Sequence, residues 1–336
     1  MALGVTALLP VQRAGAAEFL AGESVRVLVP TAAGSGTDRV VRAFVAAVAE
    51  LLPGTRFSVE NQSGGDGRLA ALALWQAPPD GLTWALLSSN LLYASLLEAE
   101  ALPFDLAGFA WIGGFAKDRR VLVAGARSGL ETIEQLRARA TPVLLASEST
   151  ASTNYREALM LNALLDCRIR PVTGYDGPSR VLAARAGEVD CAMGTFESMQ
   201  PLLADGSGRV LLRLNDATLS PPHDAAPWLG SLPVVPEHAW LVQLIAAQSG
   251  MGRCLATAPG TPSDRLQALR ALFLQVAALP SFAAAAANIG LALAPTDGGA
   301  LASRLAALLA GEAGVGARLR AVLECGQRRA DGFDAC

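Results

Sequence analysis

The chain has a single lysine, Lys117, among its 27 basic residues, and only two histidines. That scarcity removes several chemistries at once. A phosphate-gripping lysine in a glycine-rich turn is excluded, and so is Schiff-base catalysis away from position 117. His223 and His238 share one Pro-rich stretch without HExxH or comparable spacing, so the sequence offers no metal centre. The Gly-x-Ser-x-Gly elbow of serine hydrolases is absent. No stretch reaches the roughly eighteen apolar residues of a membrane span without a charge or proline interrupting it. The Ala-rich 283-AAAAANIGLALAP-295 is short and ends in Pro. A net charge of −3 supplies no basic face for phosphate and argues against a nucleic-acid partner. Aromatics make up 5% of the chain, and the five tryptophans mostly follow apolar patterns that suggest core positions.

What the chain does have is apolar mass in alternating short segments. At 336 residues and 52% apolar it can bury two sizeable cores, and its length favours about two domains. Strands are expected at 25–29, 56–60, 83–88, 110–116, 120–124, 142–147, 168–173, 188–194, 209–214, 240–247 and 253–258. Helices fall between and after them, including 37–52, 152–165, 177–186, 263–278 and 313–324. This alternation reads as α/β. The most informative stretch is 25-VRVLVPTAAGSGTDRVVRAFVAAVAELLPG-54. A β-branched strand stops at Pro30, a turn of small residues follows, and Thr37 or Asp38 is placed to cap a helix of helical apolar spacing. Open N–H groups at such a helix start favour an anion.

That turn, with the ordered segments after it, closely resembles the tripartite tricarboxylate transporter receptors, also called the Bug family of extracytoplasmic solute-binding proteins. The matching segments are 59-VENQSGGDG-67, 78-PPDGLTWALLSS-89, 102-LPFDLAGFAWIG-113, 174-GYDGPSRVLAARAGEVDCAMG-194 and 256-ATAPGTP-262. Coverage runs from about Ser24 to Leu323. The resemblance implies a type II periplasmic-binding-protein fold of two lobes joined by two crossover segments. Lobe one is expected at 18–124 and 252–336 and lobe two at 125–251, with crossings near Val123 to Ala126 and Ser249 to Cys254. It further implies a non-enzymatic receptor that captures a small organic anion between its lobes, without cofactor or metal. Its partners are then the carboxylate ligand and membrane transporter subunits, and it is expected to act as a monomer. A sensory receptor and a periplasmic hydrolase using Ser88 or Ser149 are the alternative classes; the hydrolase lacks an activating His or Lys near either serine.

In open parallel sheets ligands sit beyond the carboxyl ends of strands, which selects three loops. The first is Thr31, Ala32, Ala33, Gly34, Ser35, Gly36, Thr37 and Asp38. The second carries Ser88 and Ser89 before Asn90. The third carries Ser149, Thr150, Ser152 and Thr153, and Tyr175 follows a neighbouring strand. In the third loop the family's glycines are replaced by Glu148, Thr150 and small residues, and Asp176 stands where the family often has Lys. Both changes are expected to make lobe two more acidic and to favour a ligand that also carries an amino or amide donor. The first seventeen residues contain a short apolar run followed by AGAA, the look of a signal-peptidase site, although no basic segment precedes it. The expected location is therefore periplasmic. Of five cysteines, Cys325 and Cys336 are the disulfide candidates, because an exported protein permits the bond and a tail gains from being tied down. Cys167 and Cys191 are read as a pair or as buried thiols, and Cys254 as free.

Overall fold

The computed structural model describes residues 15–16, 18–309 and 314–333. The expected signal segment 1–17 lies almost wholly outside them, and so does Cys336. Two compact units emerge. Unit one holds the residues up to Leu91, Glu100–Ala116 and the stretch beginning at Gly252; unit two holds Leu92–Ala99, Lys117–Met251 and the C-terminal helix.

In unit one, β1 (Ser24–Val29) buries Val25 and then its last three residues outright, as a parallel strand covered on both faces does. It pairs in parallel with β2 (Arg56–Asn61) on one side and β3 (Thr83–Leu87) on the other. Next to β3 lies β10 (Cys254–Thr257), antiparallel, and beyond it β4 (Ala110–Gly114) and the two-residue β11 (Thr296–Asp297). Helix α1 (Gly36–Leu51) buries Val40, Val41, Phe44, Ala47 and Val48, the one-sided stripe of an amphipathic helix. Phe44 meets Phe115, Phe273 and Phe282 with ring centroids 5.0, 5.6 and 5.8 Å away, the centre of this core. Ala16 and Leu20 are buried in the same cluster.

Unit two repeats the plan. Its sheet runs β7 (Ile169–Val172), β6 (Val143–Ala146), β8 (Cys191–Thr195), β5 (Arg120–Gly125), β9 (Gly208–Arg213). In each sheet the order is second, first, third, visitor, fourth, where the visitor is the strand that enters just after the chain changes unit. Both visitors, β10 and β5, are antiparallel to their neighbours. The packed helices are α5 (Thr153–Leu165), α6 (Gly177–Ala186), α7 (Phe196–Leu203), α8 (Trp240–Ser249) and α12 (Val315–Ala330).

The two-lobed α/β expectation agrees with this architecture, but its boundaries need correction. The first passage falls between Ala116 and Lys117, earlier than Val123 to Ala126. The cause is β5, whose six residues are all buried and which pairs with β8 on one side and β9 on the other. The return lies between Met251 and Gly252, inside the span expected for it. The C-terminal helix, assigned to lobe one from sequence, belongs to unit two. There Gly326 lets α12 press against α5, since a Cβ at 326 would lie 2.1 Å from the Leu159 carbonyl oxygen. Residues 92–99 form a further excursion into unit two that the sequence did not announce, within helix α3 (Asn90–Leu97) and the turn after it. Finally, 240–247 is not a strand but helix α8. Its run WLVQLIAAQS is apolar enough for either period, and burial of Leu241, Val242, Leu244, Ile245 and Gln248 on one side decides for the helix.

Candidate functional site

In unit one three strand ends converge. The turn after β1 is capped by Ser35, not by Thr37 or Asp38: the Ser35 hydroxyl accepts the Asp38 N–H at 3.2 Å and is 2.7 Å from the Thr31 hydroxyl. Asp38 is itself buried. Its carboxylate accepts Gly34 N–H at 2.8 Å, Arg42 Nε at 3.0 Å and Asn61 Nδ2 at 2.9 Å. Burial opposes its ionisation, but the bonds from Arg42, Gly34 and Asn61 outweigh that and hold the carboxyl below its ordinary value. Asp38 therefore positions the turn rather than facing a ligand. Asn61 also donates to the Thr31 carbonyl at 2.9 Å, tying the end of β2 to the same turn. What the turn offers outward are Ala32, Ala33, Gly34 and Gly36, all exposed, with the first two helical N–H groups at Gly36 and Thr37.

The glycine-rich turn after β2 comes equally close. Gly67 has φ +93°, and a Cβ there would lie 2.5 Å from the Cβ of Ser88 and 3.6 Å from that of Pro30. Only glycine permits both the angle and the approach. Ser88 accepts the Asn90 N–H at 3.3 Å, an ordinary turn contact at the start of α3, and Ser88 and Ser89 are half-buried beside it.

In unit two the ends of β6, β7 and β8 supply the corresponding loops. Ser152 caps α5, accepting Tyr155 N–H, while its hydroxyl meets Ser147 Oγ at 2.9 Å and donates to the Ser149 carbonyl at 2.8 Å. The Thr153 hydroxyl accepts from Gln248 Nε2 at 3.2 Å. Both hydroxyls are thus committed inside the protein; the Ser149 hydroxyl accepts the Ala151 N–H at 3.2 Å, and Thr150 is the exposed side chain of this loop. Tyr175 donates its N–H to the Ser147 carbonyl at 2.9 Å, and its ring packs on the unit-two core beside a groove of about 500 Å³ that Arg127, Ser179 and Leu182 also line.

The added acidity expected of this unit is largely consumed. Asp176 is the N-cap of α6 and accepts Ser179 N–H at 3.0 Å, and its hydrogen bonds with Ser179 lower its pKa. Glu148 faces a cation that sequence reading passed over, Arg180, in the first turn of α6. Burial lowers the Arg180 pKa, Glu148 pulls it up, Arg120 lowers it further and Asp176 raises it. Arg180 Nη2 lies 3.7 Å from where a Cβ on Gly194 would sit, at the carboxyl end of β8. In sequence it is one more arginine on a helix. A buried charge cluster lies deeper in the unit: Glu157 accepts from Arg120 Nε at 3.0 Å and from the Tyr93 hydroxyl at 3.3 Å, and Arg120 also donates to Asn154 Oδ1 at 3.0 Å.

His223 stands edge-on to Phe196 with centroids 5.4 Å apart, and His238 lies beside Trp240 and Arg318. Cys167, Cys191 and Cys254 are buried and form no disulfide, which selects the buried-thiol reading for the first two; burial pushes Cys167 up to about 12. Cys325 is disulfide-bonded. Among the described residues no cluster of three or more His, Cys, Asp or Glu could hold a metal ion, and no single helix is long and apolar enough to cross a membrane.

No family model and no curated protein matches the chain by sequence. Solved structures do. A TctC solute-binding protein from Polaromonas, without ligand, superposes with a TM-score of 0.68 at 19% identity, over 90% of this chain and 98% of that one. MatC from Rhodopseudomonas palustris with bound malate gives 0.66 at 20% identity, over 90% and 99%. A third protein, from R. palustris with adipate, gives 0.67 at 19% identity, over 91% and 97%. The fold of this chain is that of these two-lobed solute-binding proteins.

Proposed function

We propose that the protein is a non-enzymatic extracytoplasmic receptor of the tripartite tricarboxylate type. It binds a small organic carboxylate in the periplasm and passes it to membrane transporter subunits. One observation carries the reading: each unit ends a parallel strand in a helix start capped by a serine, Ser35 and Ser152, with Gly36 exposed beside the first and Thr150 beside the second, on a fold that holds malate or adipate in solved neighbours. Helix N-termini bind negative charge without needing Lys, which suits a chain with one lysine.

The test is a thermal-melt screen of the full chain with dicarboxylates, amino acids and aromatic acids. A ligand at a hundred times its Kd should stabilise the native state by roughly 2.7 kcal/mol. The same screen on Gly36→Val separates this turn from other sites. A Cβ at Gly36 meets nothing within 4 Å and the backbone there is not left-handed, so the variant should fold while its branched side chain covers the helix start. Loss of the ligand shift in the variant supports the assignment. Equal shifts in both proteins would remove the turn from the site, and no shift with any acid would remove the reading.

A further inference from the structure

Among the described residues three arginines, all in unit two, bury an Nε atom that has no hydrogen-bond partner: Arg180, Arg185 and Arg329. Two of them place their charge elsewhere. Arg185 Nη2 pairs with Asp205 at 2.9 Å, and Arg329 Nη1 pairs with Asp166. Arg180 has no such outlet, since no hydrogen bond or ion pair of its side chain forms among the described residues. Evolving an apolar or paired residue here would be simple in folding terms, because a guanidinium sealed on one side without an acceptor opposes folding.

Its surroundings make the cation still more conspicuous. Arg180 is in the first turn of α6, where the helix dipole disfavours positive charge. The nearby Arg120 repels it as well, while Glu148 and Asp176 attract it. Its Nη2 sits 3.7 Å from the Cβ position of Gly194, near the end of β8, and 3.9 Å from that of Gly177, the first residue of α6. This is the strand-to-helix edge at which parallel sheets receive ligands. Arg180 as a residue is only partly buried.

We propose that Arg180 is the anion-binding residue of unit two, taking one carboxylate of the ligand on its guanidinium fork. The inference rests on the receptor reading above and deepens it by naming the cation in a site otherwise built of hydroxyl and N–H donors. A planar fork matches a carboxylate with two parallel hydrogen bonds, which a lysine cannot do. The same arginine offsets the charge of Glu148, so a plain dicarboxylate meets a less acidic site.

The experiment compares the full-length wild type, Arg180→Met and Arg180→Lys, titrated with malate and with adipate by calorimetry, alongside melts without ligand. For Arg180→Met, affinity should fall by about 10- to 100-fold, the range for a lost charged hydrogen bond. Its unliganded melting temperature should stay level or rise, because the variant removes an unpaired cation. Arg180→Lys should bind several-fold more weakly than wild type. Wild-type affinity in Arg180→Met would overturn the proposal, the more plainly if the unliganded melting temperature fell, since the arginine would then serve the fold alone. If Arg180→Met does not accumulate as folded protein, Arg180→Lys decides by the same criterion. If the wild type binds neither these two acids nor any other in the screen, the receptor reading fails first, and this inference falls with it.

Discussion

At the scale of single residues, Asp38 shows how a buried carboxylate can shape a turn by gathering its donors. It draws in the Gly34 N–H, Arg42 and Asn61, and so fixes the turn that leaves Gly36 and Thr37 facing outward. Asp38→Ala should strand those donors and cost about 1–3 kcal/mol, read as a lower midpoint in urea unfolding. The pH dependence follows from the depressed pKa. Stability from this group is present above the unfolded carboxyl value of roughly 4 and is lost as pH falls through the lower folded value. Wild type and Asp38→Ala should therefore converge in stability under acid and diverge above about pH 4. A gap that stayed constant from pH 3 to 7 would show that the carboxylate's charge contributes nothing.

Among elements, the α5 and α12 pair carries unit two. Asn162, buried on α5, donates to the Gly326 carbonyl at 2.9 Å and to that of Ile169 at 2.8 Å, so one side chain joins both helices to the start of β7. Gly326 has no positive φ to explain it; the constraint is space alone, with the Leu159 carbonyl where a side chain would go. Gly326→Val should force the helices apart and cost at least the 1–3 kcal/mol typical of overpacking. A second transition in calorimetry, with unit two melting before unit one, is the expected form of the damage. A single unshifted transition would mean that α12 is dispensable to the unit. Helix α8 makes the complementary point: Gln248 reaches Thr153 at the start of α5, so a segment that reads as a strand in isolation serves as a brace for a neighbouring helix.

For the whole molecule, one covalent link enters the stability. Cys325 is disulfide-bonded, and Cys336 is its expected partner. Closing so short a loop is worth about 3 kcal/mol in the chain-entropy model. Non-reducing peptide mapping should recover the two cysteines linked, and free alkylated thiols at both would refute the pairing. The fold itself was legible because it is written in local signals. Val25 to Val29 followed by Pro30 marks a strand end, and the stripe from Val40 to Val48 marks one helix face. The turn between them declares its donors by having almost no side chains. The sequence by itself thus determined the alternation of elements, the α/β class and the place of the first strand-to-helix turn. It did not determine which unit receives β5 or α12, because a strand's membership depends on partners distant in the chain, here β8 and β9, and a helix's on a close approach such as Gly326 to Leu159. Nor did it reveal Arg180, whose significance is that its side chain closes no hydrogen bond or ion pair among the described residues. Only the tertiary structure decides that, since the lack of a partner is a property of everything packed around a residue and not of the residue itself.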